Sequence, residues 1–434
     1  MSANLAIYVA WVAFTPSLSN AQSCYPVASP TPSESYQFVR DYPCDTVFEP
    51  TTNEADHSAS LSAVINSAPD LNRDGVTAIC IPNKLTLKSP ISITRSQVHL
   101  MGNSRHRTNL SGANLAIEGR GIRIANFESI NSIHIKTAAQ VQGIENISQL
   151  GGMYISEAKT VNRLHDISAA PNRENRIWID AGSVQAISRV NGFHIDIRPK
   201  TTVESIMDFE GTLEIDGQVN RIGRFKGAIY TLPTASVALI HDAVLTNGSL
   251  SGKLSAIDCF QFGDVTVDGS VGRIRAYANA LAENLPPRTK QQLRIESTGT
   301  IKIMQDGTLV ATKDIPLVVD GTVGRIDRLS ITNPGAGPTG MQVSGHVGTL
   351  NRFTIESNNL QSQNPFAPGY NPINVQLPAL AIYTNGQGSG GGISNLTNGT
   401  LKSSQRRFLQ VDGVDVPSPD EYRLGIMKSV QFEP

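Results

Sequence analysis

The chain has 434 residues, 39% of them hydrophobic, with 36 basic against 37 acidic side chains and a formal net charge of -1. That is enough apolar material for a large core, in one elongated domain or several compact ones. A balance so near zero removes the general electrostatic case for nucleic acid or an anionic membrane as partner.

Residues 1–21 read as an export signal. Leu5 to Phe14 are mostly apolar, and Ser19, Asn20 and Ala21 suit cleavage after Ala21. The apolar run is too short to span a bilayer. The usual basic residues ahead of it are missing, the first being Arg40. A secreted or periplasmic protein is expected. Cys24, Cys44, Cys80 and Cys259 fit an oxidising compartment, and four cysteines allow three full pairings. Cys24 with Cys44 is the expected pair, stapling a polar N-terminal arm over 22–55. No Cys-x-x-Cys or His–Cys spacing points to a metal.

Residues 55–69 carry Leu61, Val64, Ile65 and Ala68 on one helical stripe, ended by Pro69. A turn at 70–75 follows. It opens like a calcium loop, Asp70-x-Asn72-x-Asp74-Gly75, but its twelfth position is Ile81 where a bidentate Glu belongs, so an ordinary turn is expected. Three short apolar segments come next: AICIP at 78–82, LTLKSPISI at 85–93 and VHLMG at 98–102. Helix, turn and these segments together resemble the N-terminal cap and first coils of the pectate-lyase-like right-handed β-helix superfamily. The resemblance implies an all-β fold over 56–434: a single-stranded right-handed parallel β-helix, or solenoid, with an N-terminal helical cap. It implies no one activity, because that superfamily holds lyases, hydrolases, epimerases and non-enzymes.

An internal repeat supports a solenoid independently. The unit apolar-x-x-apolar-x-x-apolar recurs, as in Phe127/Ile130/Ile133, Val184/Ile187/Val190, Val219/Ile222/Phe225 and Val347/Leu350/Phe353. Spacing by three suits short strands meeting at tight corners. Alternating segments such as Ile177-Trp-Ile-Asp180, Phe193-His-Ile-Asp196 and Leu213-Glu-Ile-Asp216 adjoin these units, giving one rung roughly every 20 residues. The glycines of Asp216-Gly217, Asp268-Gly269, Asp320-Gly321 and Ser344-Gly345 are expected to supply φ > 0 at corners. The first three are evenly spaced, two or three rungs apart. Residues 278–292 read as an insertion and 359–392, rich in Asn, Gln, Pro and Gly, as a long loop. The remainder returns to short strands.

Stacking the alternating segments lines up their outward side chains. The column reads His134 and Lys136; Tyr154 and Ser156; Trp178 and Asp180; His194, Asp196 and Arg198; Glu214 and Asp216. An ambiguous rung near Tyr230 follows, then Asp264, Thr266 and Asp268, then Arg294 and Glu296. Exposed Tyr and Trp suit the apolar faces of sugar rings. With His134 and Glu214, Trp178 is the expected substrate-binding set. β-Elimination on a uronic acid needs a base, for which His194, Tyr154 and Lys136 are candidates, and a cation against the substrate carboxylate, for which Arg198, Lys136 and calcium are candidates. Asp196 completes the catalytic set, and Asp180 with Asp216 could supply hard oxygen ligands to calcium.

Other motifs carry less. Arg221, Arg273 and Arg325 recur in Val-x-Arg-Ile units and read as a solvated corner or a basic ladder facing an acidic glycan. His165-Asp166 and His241-Asp242 should point to opposite faces of a strand and make poor dyads. No GxSxG, P-loop, HExxH or dinucleotide-binding motif occurs in context. The paired-Asp and Gly-His-Gly signatures of polygalacturonase-like hydrolases are also missing. The expected function is a secreted polysaccharide lyase acting on an acidic, uronate-containing polysaccharide, as a monomer with no nucleic-acid or membrane partner. A glycoside hydrolase using stacked carboxylates and a non-catalytic glycan-binding or exopolysaccharide-assembly solenoid are the alternatives.

Overall fold

A computed structural model describes residues 44–434 apart from 51–54, 72–73, 82–83, 104–107, 172–174, 281–289, 311–313, 333–338, 358–377, 385–390, 404–406 and 423. The expected export signal, most of the arm, the middle of the insertion and most of the long loop lie outside these residues.

The chain builds a parallel β-solenoid. Twenty-six strands among the described residues join in one sheet system. Its ladders are parallel, apart from the pairing of Leu409–Val411 with Val414–Val416. Successive rungs repeat the same register. Val219 faces Val203 and Val237, and Leu254 stands between Val237 and Val271. The repeated apolar residues therefore stack in columns and form one continuous buried core. Fully burying each Val, Ile or Phe contributes roughly 1.5–3 kcal/mol, available only when the neighbouring rung is in place. Phe209 and Phe225 show the fit: their rings stack at 5.7 Å and 26°.

The spacing by three has a backbone cause. In rung after rung the residue two places after the middle apolar position takes the left-handed conformation. Asn126, Asn146, Asp166, Arg189, Asp208, Arg224, Asp242, Cys259, Ala276, Asp306, Arg328, Arg352, Asn398 and Ser429 all have φ between 46° and 68°. One such residue reverses the alternation, so two side chains three apart, such as Ile222 and Phe225, both point inward. Asn and Asp are frequent in this column because they tolerate the left-handed region best among residues with a Cβ.

The glycines of the Asp-Gly corners work differently from expectation. Gly217, Gly269, Gly321 and Gly345 do not have positive φ. Each instead lets the preceding rung approach. A Cβ at Gly269 would lie 2.3 Å from the Gly252 carbonyl oxygen, and one at Gly345 2.0 Å from that of Gly321. Corner hydrogen bonds count the rungs between them. Ser236 donates to Gly217, Lys253 to Ala235 and Ser270 to Gly252, making three steps from Gly217 to Gly269. Thr300 donates to Gly269 and Thr322 to Gly299, making two steps to Gly321.

The helix forms over Ser58–Ser67, with Leu61 and Ile65 buried in the solenoid core. Asp56 accepts from Ser58 N at 3.0 Å and from Lys88 N at 2.9 Å, tying the helix start to the first rungs. These bonds, that of the Ser58 hydroxyl first, hold its carboxyl below the usual range. No helix among the described residues is long and apolar enough to cross a membrane.

Three expectations are corrected. Cys44 pairs with Cys80, across 5.7 Å between Cα atoms, and not with Cys24. The strand Thr46–Val47 pairs with Thr77–Ile81, which places Cys44 beside that bond; Cys259 is also disulfide-bonded. The 278–292 insertion is shorter than read, because strands reach Asn279 and resume at Gln292. The 359–392 loop contains a rung strand, Leu380–Ile382, paired with Met341–Val343 and Leu409–Val411.

Candidate functional site

The alternating segments stack as the sequence implies. Tyr154 faces His134 on one side and Trp178 on the other. His194 N donates to Asn175 O, and Asp216 N to Ile197 O. The next rung has the same bond, Leu232 N to Ile215 O, with Ile215 opposite Thr231. By that count Asp196 stands between Trp178 and Glu214, and Arg198 between Asp180 and Asp216. The column continues through Tyr230, Ser249, Thr266 and Arg294. The rung at Tyr230 is thus a regular member, and sequence reading passed over that of Ser249.

Three rings line one end. His134 meets Tyr154 edge-on at 5.0 Å, and Tyr154 lies 6.3 Å from Trp178, tilted by 53°. Trp178 is 36% exposed, high for a large aromatic. The Arg198 guanidinium lies over its ring, 5.3 Å from the centroid, in cation–π range. Arg198 also donates to Asp196 at 2.8 Å.

Asp196 is only 3% exposed. Burial raises its carboxyl above the usual value and the Glu214 charge adds to this, while Arg198 pulls the other way. Burial wins because the partly buried Arg198 keeps some of its hydration and is partly screened. Asp196 therefore lies beneath the surface and holds Arg198 in place.

The remaining predicted residues divide. His194 Nε2 lies 3.3 Å from Glu214 Oε2, buried and without hydrogen-bond alignment. Tyr154 donates its hydroxyl proton to Asp180 at 3.3 Å. Lys136 donates to Glu118 at 2.5 Å, and that ammonium holds the Glu118 carboxyl below its usual range. Sequence reading missed Glu118 as the partner of Lys136. Asp216 accepts from the Thr234 hydroxyl.

Asp180 and Asp216 are two rungs apart, about 10 Å at normal strand spacing, with the Arg198 position between them. A calcium ion needs converging oxygens and no interposed cation, so this pair does not fit it. Among the described residues no group of three or more His, Cys, Asp or Glu could hold a metal ion. At the turn read as a calcium-loop mimic, the Asp70 and Asp74 carboxylates accept from the backbone of Gly75 and Val76.

One dismissed pair is joined. His241 Nδ1 lies 2.8 Å from Asp242 Oδ2, because Asp242 is a left-handed residue and alternation fails there. Arg221 Nε donates to His241 Nε2 at 2.8 Å. That bond makes Nε2 the acceptor and Nδ1 the donor, so the ring is held between acid and cation and offers no free nitrogen.

Comparison with protein-family models, with curated proteins and with solved structures finds no match for this chain.

Proposed function

We propose that the chain is a secreted carbohydrate-active protein with the right-handed, helix-capped solenoid of the pectate-lyase-like superfamily. On this reading it binds a uronate-containing polysaccharide across the His134–Glu214 face and cleaves it by β-elimination. The observation that carries this reading is the aromatic strip leading into a cation: His134, Tyr154 and Trp178 in register, with Arg198 over Trp178 and anchored by Asp196. Rings of this kind match sugar CH faces, and Arg198 matches a uronate carboxylate. Export is supported by the Cys44–Cys80 disulfide, since such bonds persist in oxidising compartments.

Roles follow from the pairings. Lys136 is held by Glu118 and the Tyr154 hydroxyl by Asp180, while His194 Nε2 lies beside Glu214 without a hydrogen bond, and on this reading His194 is the base for the C5 proton. Arg198 neutralises the substrate carboxylate, Asp196 positions Arg198, and Trp178 carries the ring. No step is routed through calcium.

The test is incubation with a panel of polyuronates, read by the ultraviolet absorbance of an unsaturated uronide. The absorbance should appear, persist in a chelator, and fall about 10²–10⁴-fold in His194→Ala. Trp178→Ala should raise KM more than it lowers kcat. Loss of activity in the chelator would restore a calcium-assisted route. Hydrolysis is the second reading, favoured by Asp196 keeping its proton to a higher pH than an ordinary carboxyl, with Glu214 on the next rung. New reducing ends without the absorbance would establish it. Absence of both products would leave the glycan-binding alternative.

A further inference from the structure

On a different strand of each rung, arginines and aspartates form a ladder that the proposed cleavage does not use. Asp258 holds Arg273 at 2.9 Å and Arg275 at 3.5 Å. Asp306 holds Arg328, and Asp327 gathers Arg325 at 3.6 Å, Arg328 at 3.0 Å and Arg352. The two layers differ in depth. The five arginine side chains are 42–52% exposed, while the three carboxylates are 1–19% exposed. Exposed Lys302 lies on the rung between those of Arg273 and Arg325, next to the arginine column. Solvent therefore meets six cations, with half as many carboxylates lying behind them.

Ion pairing alone does not account for this imbalance. A ladder built only for stability needs one carboxylate per guanidinium, and exposed pairs contribute little in any case. The more deeply set acids instead fix the guanidiniums across three neighbouring columns of the strip, with donors left for a further acceptor. In the ladder Ile303 stands between Arg273 and Arg325 and is itself exposed, an apolar step between two cations. That alternation suits a chain of rings bearing acidic groups. The disulfides favour a partner found outside the cell.

We infer that the corner strip from Arg273 to Arg352 is a second binding surface, for a linear acidic polysaccharide, distinct from the aromatic face. Arg275, Lys302 and Arg325 are its contact cations. Asp258, Asp306 and Asp327 position the guanidiniums.

The experiment measures binding of the full chain to polygalacturonate at low and moderate salt, in a His194→Ala background that keeps the polymer intact. The triple variant Arg275→Gln/Lys302→Gln/Arg325→Gln is compared with Trp178→Ala. The triple change is chosen for safe folding: Asp258 keeps Arg273, and Asp327 keeps Arg328 and Arg352. A urea midpoint equal to that of the parent checks this. The triple variant should bind at least about tenfold more weakly at low salt, with the difference shrinking as salt rises. Reintroduced into the His194 background, the same three changes should leave initial cleavage of a short uronate oligomer unchanged. Unchanged affinity in the triple variant, no binding by the parent, or equally tight binding of duplex DNA would each overturn the inference. Failure of cleavage alone would strike the aromatic face and leave this surface standing.

Discussion

Asp196 combines near-complete burial with a carboxylate held 2.8 Å from a guanidinium, and the two act oppositely on its proton. Burial is the larger effect, so the native state keeps a proton that the unfolded chain has already lost. That contribution to stability is full below the ordinary value of 3.8 and is lost as pH rises through the raised native value. The urea midpoint of the native protein, measured against Asp196→Asn, should fall across that window and then level. A difference constant with pH would show that Asp196 carries no such linkage. Tyr277 gives a second residue-scale case. It is fully buried, its hydroxyl has no hydrogen-bond partner among the described residues, and burial raises its pKa far above the phenol range. Phe260 occupies the same column one rung away. Tyr277→Phe should be neutral or up to about 1 kcal/mol more stable in urea unfolding, since a desolvated, unpaired hydroxyl is removed. A loss of stability would reveal a partner for that oxygen. The outward direction of Asp196 was legible from alternation, but its burial was not. What covers it comes from Trp178, Arg198 and Glu214, on its own and neighbouring rungs, and that register depends on corner lengths that periodicity does not specify.

The repeating element is an apolar position, a left-handed residue two places on, and an apolar position directly after it. The triplet spacing was legible because the core must accept one side chain at each step. Its left-handed residue was not, since Arg, Ala, Cys and Ser share the position with Asn and Asp and hide any composition signal. The same blindness separated His241 from Asp242 on paper and joins them in the fold. Glycine at the Asp-Gly corners was legible as a necessity, though for the wrong reason: the cause is a carbonyl oxygen from the rung below. Gly345→Ala tests the difference. A Cβ there would lie 2.0 Å from Gly321 O and 2.4 Å from Asp320 O, both backbone atoms that cannot step aside alone. The substitution should cost about 1–3 kcal/mol, as overpacking does, measured as a shift in the urea midpoint without a change in slope. If φ were the only issue, alanine would be accepted, because Gly345 is outside the left-handed region. An unchanged midpoint would therefore show that the neighbouring carbonyls do not exclude a Cβ there.

At the scale of the molecule, each rung touches mainly the rungs next to it, so stability is close to a sum of neighbour terms. A disturbance at one end should then stay near that end. The Cys44–Cys80 bond allows this to be measured. It joins residues 36 apart in sequence and fastens the strand Thr46–Val47 to Thr77–Ile81. Asp45 reinforces the attachment, accepting from Leu71 N and Ala78 N at 2.8 Å each. On chain-entropy grounds, closing a loop of this length contributes about 3–4 kcal/mol. In a compact, fully cooperative domain, removing it would lower protection everywhere by that amount. Here the loss should be graded. In Cys44→Ser/Cys80→Ser, amide hydrogen exchange should accelerate strongly over 45–48 and 77–81, less over Val98–Gly102, and not at all over Gln218–Thr231 or Lys253–Val267. The central strands are five or more rungs away and keep both neighbours, so nothing they pack against has changed. Uniform acceleration through 218–267 would show that the rungs unfold as one unit, and the neighbour-by-neighbour account of the core would fail with it.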